Sequence, residues 1–385
     1  MKKIYKLTVE PITPIHIGTG NILTPLEYKT VLTKTGNKYL RFSSDSILSR
    51  IAADKSLSLE FEKTTQLNDM SKYHEFFDKN CSSDDVLYTC LMTDEFRKKY
   101  FENKQKDPTQ NAAQVYEIFR DTNSPHPVIP GSSLKGSIRT AVLQGLLNQI
   151  TDAEYNKLED EFNSLKDNQK KSFDAKLQKK ILNNFENKDS AKTDPFRAVE
   201  IADCKFDGRN GQIVGLVKNI STLKNGELKA MEKLQIQVEA ILGSIIGSDK
   251  ISESVLRINE KLKNLNGVSR RITADNIINF CNEFYIKQFE DEYEYFYKNA
   301  YDKVDLISKL RIILSNSIKE KNTFIVRVGR LSQLEFVPME ENFRAYWDSK
   351  NKCLKQKGDT RTVFDYDGQY IPLGWCKCKV EEVSN

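Results

Sequence analysis

The sequence predicts an α+β fold in which β-rich ends pair with each other and enclose a long, mainly helical middle. Three observations carry this. Tyr5, Leu7 and Val9 alternate with Lys6, Thr8 and Glu10 near the start. Near the end, Phe324, Val326 and Val328 alternate with Ile325 and Arg327, and Tyr370–Val380 reads as a final strand. Such period-two alternation marks half-buried strands. Between these ends, the stretches Leu146–Asp194 and Val268–Val328 hold neither glycine nor proline; the first reads as a helical hairpin, and the second carries an aromatic and acidic cluster at helical spacing before it runs into the late strand. Because a strand cannot stand alone, the two ends are expected to share a sheet and the middle to be an insertion.

Taken in order, Pro11 and Pro14 end the first strand, and the turn-rich string His16-Ile17-Gly18-Thr19-Gly20-Asn21 follows. Tyr28–Thr33 and Lys38–Phe42 form a hairpin around Lys34-Thr35-Gly36-Asn37. Ser43-Ser44-Asp45 reads as a helix cap before the apolar stripe Ile47, Leu48, Ile51 and Ala52. Residues 55–125 read as an insertion, with short helices at Phe96–Phe101 and Ala112–Arg120 and a surface loop at Asn103–Gln110. Three prolines force Ser124–Pro130 to be extended. The string Ile129-Pro130-Gly131-Ser132-Ser133-Leu134-Lys135-Gly136-Ser137-Ile138-Arg139 then opens a helix, since Leu134, Ile138, Ala141, Val142 and Leu146 recur at helical spacing. Ser132 or Ser133 is positioned to cap it. The charge-dense stretch 146–194 reads as a solvated helical hairpin. Phe196–Val217 contains strand-like pieces and the turn Asp207-Gly208-Arg209-Asn210-Gly211. The cluster Phe280, Phe284, Phe289, Tyr293, Phe296, Tyr297 and Tyr301 lies among acidic residues that repel phosphate, so it reads as core or a protein-facing surface. The expected division is 1–150 as the first part of a core, 151–320 as a mainly helical insertion or second domain, and 321–385 as the closing strands.

Composition bounds the function. At ~100–200 residues per domain, 385 residues make two or three domains, or one core with large insertions. With 59 Lys+Arg against 54 Asp+Glu, the net charge of +5 is spread thinly, so local basic sites must carry any case for nucleic acid. No apolar run approaches the ~18 residues of a membrane span. The charged start lacks the apolar stretch of a signal peptide. The expectation is a cytoplasmic chain without membrane contact. Seven cysteines without a CxxC pair fit free thiols better than a disulfide framework or a zinc site.

Three loops could carry chemistry. Gly131 and Gly136 have the glycine spacing of a nucleotide-binding phosphate loop, but Ser137 stands where the lysine must be. The same residues suit a single backbone phosphate. A helix start offers amide donors and about half a positive charge. Ser132 and Ser133 add hydroxyls, Lys135 and Arg139 share a face, and glycines such as Gly131 and Gly136 allow close approach. The alternative is an ordinary helix start with exposed cations. The loop Pro14-Ile15-His16-Ile17-Gly18-Thr19-Gly20 could contact phosphate or supply His16 as a general base, or His16 could simply hydrogen-bond its loop. Val326-Arg327-Val328-Gly329-Arg330 sets two cations and a glycine at a strand end, able to grip a phosphate or stack on a base, or merely solvated.

Together, Pro-x-His-x-Gly-x-Gly after the first strand, Ile-Pro-Gly-Ser-Ser-Leu-Lys-Gly-x-x-Arg opening a helix, and the late Val-Gly-Arg loop resemble the RAMP superfamily of CRISPR effector proteins. Order, length and the ending Pro372-Leu373-Gly374-Trp375 look like its Csm-type (type III-A) subunit that caps the 3′ end of the guide RNA. The resemblance covers roughly residues 4–50, 125–150 and 320–380. It implies an RRM or ferredoxin-like core split by large helical insertions. It implies that Ser132, Ser133, Lys135, Gly136 and Arg139 line a groove for guide RNA, with His16, Gly18, Gly20, Arg327, Gly329 and Arg330 in the neighbouring loops. Further implied partners are target RNA, the repeated backbone RAMP subunit and a small helical subunit, with no cofactor and no resident metal. The late loop departs from the family's glycine-rich string, reading Val328-Gly329-Arg330-Leu331-Ser332-Gln333-Leu334. The family's backbone subunits cleave RNA with a metal-assisted Asp after the first strand. The nearest acid here is Glu27, so a non-catalytic RNA holder is expected. The rivals are a metal-independent endoribonuclease using His16, a metal-dependent one centred on Glu27, and an architectural subunit that touches only protein.

Overall fold

The computed structural model describes residues 2–383 except 34–35, 104–113, 123, 171, 184–192, 209–210, 224, 260–261, 263–269, 330–342, 344–345, 349–352 and 356–357. Along the chain run β1 (Lys2–Pro11), β2 (Gly18–Leu23), β3 (Tyr28–Thr33), β4 (Gly36–Phe42), α1 (Ser44–Ala53), α2 (Lys55–Gln66), α3 (Met70–Asn80), β5 (Val86–Met92), α4 (Asp94–Asn103), β6 (Val115–Ile118), β7 (Val128–Ile129) and α5 (Gly131–Leu147). There follow α6 (Asp152–Ser164), α7 (Asp167–Lys170), α8 (Phe173–Leu182), β8 (Val199–Ile201), β9 (Cys204–Lys205), β10 (Gln212–Thr222), β11 (Leu228–Ile241), β12 (Ser252–Asn259), α9 (Ala274–Glu292) and α10 (Asp305–Ser317). The chain closes with β13 (Thr323–Arg327), β14 (Tyr346–Asp348), β15 (Cys353–Lys355), β16 (Arg361–Tyr366), β17 (Gln369–Pro372) and β18 (Trp375–Glu382).

The two ends do share a sheet. Leu7 pairs with Val380 and Val9 with Cys378, so β1 lies antiparallel to β18. The sheet order is β13-β18-β1-β12-β8, with every pairing antiparallel. Taking β18 as fourth strand, this is the 4-1-3-2 order of a ferredoxin-like βαββαβ unit, in which β1, α5, β8, β12, α9 and β18 play the six parts and β13 is added at the edge. Leu134, Ile138, Ala141 and Val142 of α5 are buried against this sheet, each contributing ~1.5–3 kcal/mol for a fully buried large side chain and less for Ala141. Gly145 lets α5 cross α9 closely, because a Cβ there would stand 2.1 Å from the Phe280 ring. The exposed edge that β13 would present is closed by a side chain. Asn282 of α9 donates through Nδ2 to the Thr323 oxygen at 2.9 Å and accepts from the Ile325 amide at 3.1 Å, replacing a missing neighbour strand.

A second, nine-stranded sheet has the order β2-β6-β11-β10-β5-β4-β3, with β16 pairing β10 and β17 pairing β16. Its strands come from three connections of the core: between β1 and α5, between β8 and β12, and between β13 and β18. β10 forks, pairing parallel to β5 through Ile213 and Val214 and antiparallel to β16 from Leu216 to Ile220.

Several sequence expectations are corrected here. The stretch 151–320 also holds β8 to β12, two of which, β12 and β8, belong to the core sheet. Ala112–Arg120, read as helical, contains strand β6. The 146–194 stretch is not a solvated hairpin: Leu158, Phe162, Phe173, Leu177, Ile181 and Leu182 pack into the main core. The last strand is two strands in different sheets, β17 and β18, separated at Leu373-Gly374. The loop at Asn103–Gln110 lies almost wholly outside the described residues. In the aromatic cluster, Phe280, Phe284, Phe289, Phe296 and Tyr297 are core residues, while Tyr301 is exposed.

Candidate nucleic-acid interface

β13 runs parallel to β1, since both are antiparallel to β18. Their C-terminal ends therefore lie at the same end of the sheet, and the start of α5 joins them. Ser137 Oγ donates to the Arg327 oxygen at 2.8 Å. A Cβ on Gly329 would stand 2.6 Å from the His16 oxygen. The fold thus gathers the three loops singled out from the sequence, but it gives them different tasks.

The solvent side of α5 begins with Ser132, Lys135, Gly136, Arg139 and Thr140, which span about 140° of the helix at 3.6 residues per turn. Ser132 and Gly136 are exposed, and Lys135, Arg139 and Thr140 are partly so. A Cβ on Gly136 would meet nothing within 4 Å, so the helix backbone there is open to a close-fitting neighbour. Neither serine caps the helix. Pro130 is the N-cap, its carbonyl accepting from Ser133 at 2.9 Å and Leu134 at 3.3 Å. Gly131 is required because a Cβ would stand 2.0 Å from the Ile201 oxygen.

Acids fill the two strongest anion positions of this helix. The Gly131 amide donates to Asp203 Oδ1 at 2.8 Å. Arg139 Nη1 donates to both oxygens of Asp194, at 3.0 and 2.8 Å, with its guanidinium 5.1 Å from the Phe196 ring centroid. Asp194 also caps the following turn through the Phe196 amide at 2.8 Å. Lys135 has no ion pair within 4 Å among the described residues. Burial lowers its pKa below the usual lysine value, Asp194 opposes that, and Arg139 adds to it. Of the two cations that the sequence puts on one face, Arg139 is held in an ion pair, whereas Lys135 has none within 4 Å among the described residues. The acids were missed because Asp194 lies 55 residues from Arg139. The Asp-Pro pair at 194–195 does signal a cap, but not its tertiary partner.

His16 is 4% exposed, and its Nδ1 lies 2.7 Å from the Glu239 oxygen. It is a buried element of a seam between the two sheets. Gly18 begins β2, and a Cβ there would stand 3.0 Å from His16 Nε2. Gly20, at φ +94°, is open to solvent. The donors beside it are taken: Asn21 Nδ2 and Thr19 Oγ1 both reach Glu117 Oε2, at 3.1 and 3.4 Å. Glu27 is likewise engaged, accepting from the Thr24 amide and from Arg41 Nη2 at 3.0 Å each.

The largest correction concerns Arg327. Its side chain is wholly buried, pairing with Glu292 at 3.0 Å and donating through Nε to the Leu373 oxygen at 2.8 Å. Glu292 is also 3.5 Å from Arg361 and accepts from Tyr297. Arg327 is thus part of the interior and out of reach of a phosphate. Gly329 is partly buried, with φ +100°, and serves the close approach to His16. Arg330 lies outside the described residues.

A search of curated proteins returns no match. Among solved structures, one subunit in a cryo-EM structure of a Csm–crRNA–target RNA ternary complex of the type III-A CRISPR-Cas system is similar in fold. Its TM-score is 0.65 at 19% identity, covering 99% of this chain and 100% of that one. The crystal structure of T. onnurineus Csm5 is similar at TM-score 0.59 and 19% identity, covering 96% and 99% of the two chains. The family model of the RAMP superfamily matches residues 8–374. With the ferredoxin-like core, the gathered loops and a family match over nearly its whole length, the chain belongs to the RAMP superfamily.

Proposed function

We propose that this chain is a non-catalytic, guide-RNA-binding subunit of a type III-A CRISPR ribonucleoprotein, holding the 3′ portion of the guide as a capping subunit. The observation that carries the reading is the outer face of α5, where Lys135, without an ion pair within 4 Å among the described residues, stands beside the exposed Ser132 and the open backbone at Gly136. Such a face holds a ribose-phosphate chain through its backbone and reads little sequence. The similar subunit in a Csm–crRNA–target RNA complex supports guide RNA, target RNA and other RAMP-type subunits as partners. The backbone RAMP subunit and the small helical subunit are the proposed neighbours. The burial of His16 and the engagement of Glu27 by Thr24 and Arg41 speak against the two nuclease readings, because neither group is free to meet substrate.

The test is to purify the chain with its assembly from cells carrying a guide array and to sequence the RNA that accompanies it. Short RNAs sharing repeat-derived 5′ tags are expected. An assembly free of such RNA contradicts the proposal.

A further inference from the structure

We propose that Asp194 and Asp203 are built-in phosphate stand-ins that weaken the grip of α5 on arbitrary polyanions. The inference rests on the RNA-binding reading of that helix. A phosphate gains most at a helix's first amides and at a guanidinium. On α5 those are the Gly131 amide and Arg139, and an acidic side chain of the chain itself occupies each.

The Arg139 pair is not a loose surface contact. Asp194 is fixed by its own cap to the Phe196 amide, and Arg139 lies over the Phe196 ring, so both partners are held in register. Both are about a quarter exposed, 28% and 26%, so an incoming phosphate would have to compete with a carboxylate already seated. With both aspartates counted, the side-chain charge about the first three turns balances, and Lys135 is the cation without an ion pair within 4 Å among the described residues, where the sequence alone suggests two cations plus a helix dipole. A single cation retains RNA poorly by itself. Retention then depends on contacts added elsewhere along the strand or by neighbouring subunits, which favours an RNA already organised in an assembly over free RNA of any kind.

The experiment uses the full chain with short labelled single-stranded RNAs of two unrelated sequences, titrated over a range of salt. Asp194→Asn keeps a capping side chain, so the local turn is retained; an unchanged melting temperature verifies this. The expected result is about fivefold tighter binding at 0.1 M salt and a salt slope steeper by ~0.7, the increment of one added phosphate contact on a single strand. The gain vanishes in Asp194→Asn/Arg139→Ala. Asp203→Asn gives a separate gain that survives Arg139→Ala. If Asp194→Asn and Asp203→Asn leave affinity unchanged or weaken it while Lys135→Ala still weakens it, the stand-in idea is wrong and the RNA-binding face stands. If Lys135→Ala also has no effect, both fall.

Discussion

The Nδ1 of His16 lies 2.7 Å from the main-chain oxygen of Glu239, and this contact accounts for a histidine that the sequence offers as a base. Around it the two sheets are stitched together. Ile15 and Ile241 exchange backbone hydrogen bonds at 3.1 and 2.9 Å, and Gly374 donates to the Pro14 oxygen at 2.9 Å. The glycine of the late loop belongs to the same seam, since only a residue without a Cβ can bring its backbone against His16 there. The motif thus joins a core to its insertions, and α5 is the proposed RNA-contacting face.

Gly329→Ala is expected to destabilise the fold by about 1–3 kcal/mol, because φ +100° is strained for alanine and its Cβ would collide with the His16 oxygen. Urea unfolding measures this. RNA affinity well below the melting temperature should be unchanged, and loss of RNA binding in a stably folded variant would place the loop in the interface.

Lys135→Ala should weaken binding to unrelated RNAs by similar factors and flatten the salt slope by ~0.7. Filter binding over a salt series reads both. A loss confined to one sequence would instead mean base readout.

The interior charges carry a prediction of order. Glu292 serves both Arg327 and Arg361. Arg327→Met leaves Glu292 with Arg361 and should cost little more than lost packing and hydrogen bonds. Glu292→Gln removes the carboxylate that both buried guanidinium groups face and should cost more, ~3–5 kcal/mol. Equal losses in denaturant midpoint would contradict this account.

Asp85 ties α1 to β5. Burial alone would raise its pKa, but bonds from Ser46 Oγ, the Ser82 amide and the Ser82 hydroxyl, with the charge of Arg50, hold it below the usual carboxylate value. A depressed folded-state pKa means that its contribution is complete above the unfolded value of ~4 and fades as pH falls through the lower folded value. Stability should drop more steeply with acid in the parent than in Asp85→Asn, as thermal melts between neutral and acid pH would record.

What was legible in the sequence was local. β1 announces itself by alternation, α1 by its Ser43 cap, and α5 by its buried spacing, because each pattern sits within one element; β13 is a strand as expected, but it is buried on both faces rather than half-buried. Gln212–Val217 of β10 are all buried and show no alternation, so the sequence marks only strand-like pieces up to Val217 and not the extent of the strand. β6 looked helical because Val115 and Ile118 are buried three apart, a spacing that suits a helix equally. Arg327 was misread because a cation at a strand end looks solvated, whereas its counter-charge comes from Glu292, 35 residues earlier. Long-range partners of this kind decide which cations of the candidate site remain free, and no local pattern reports them.

The most direct test of the central claim is ultraviolet crosslinking of the RNA-loaded assembly, with the attachment sites in this chain mapped by peptide mass spectrometry. Crosslinks on the segment around Ser132–Thr140 are the predicted result. Crosslinks absent there but present elsewhere on the chain would contradict an RNA-holding role for α5.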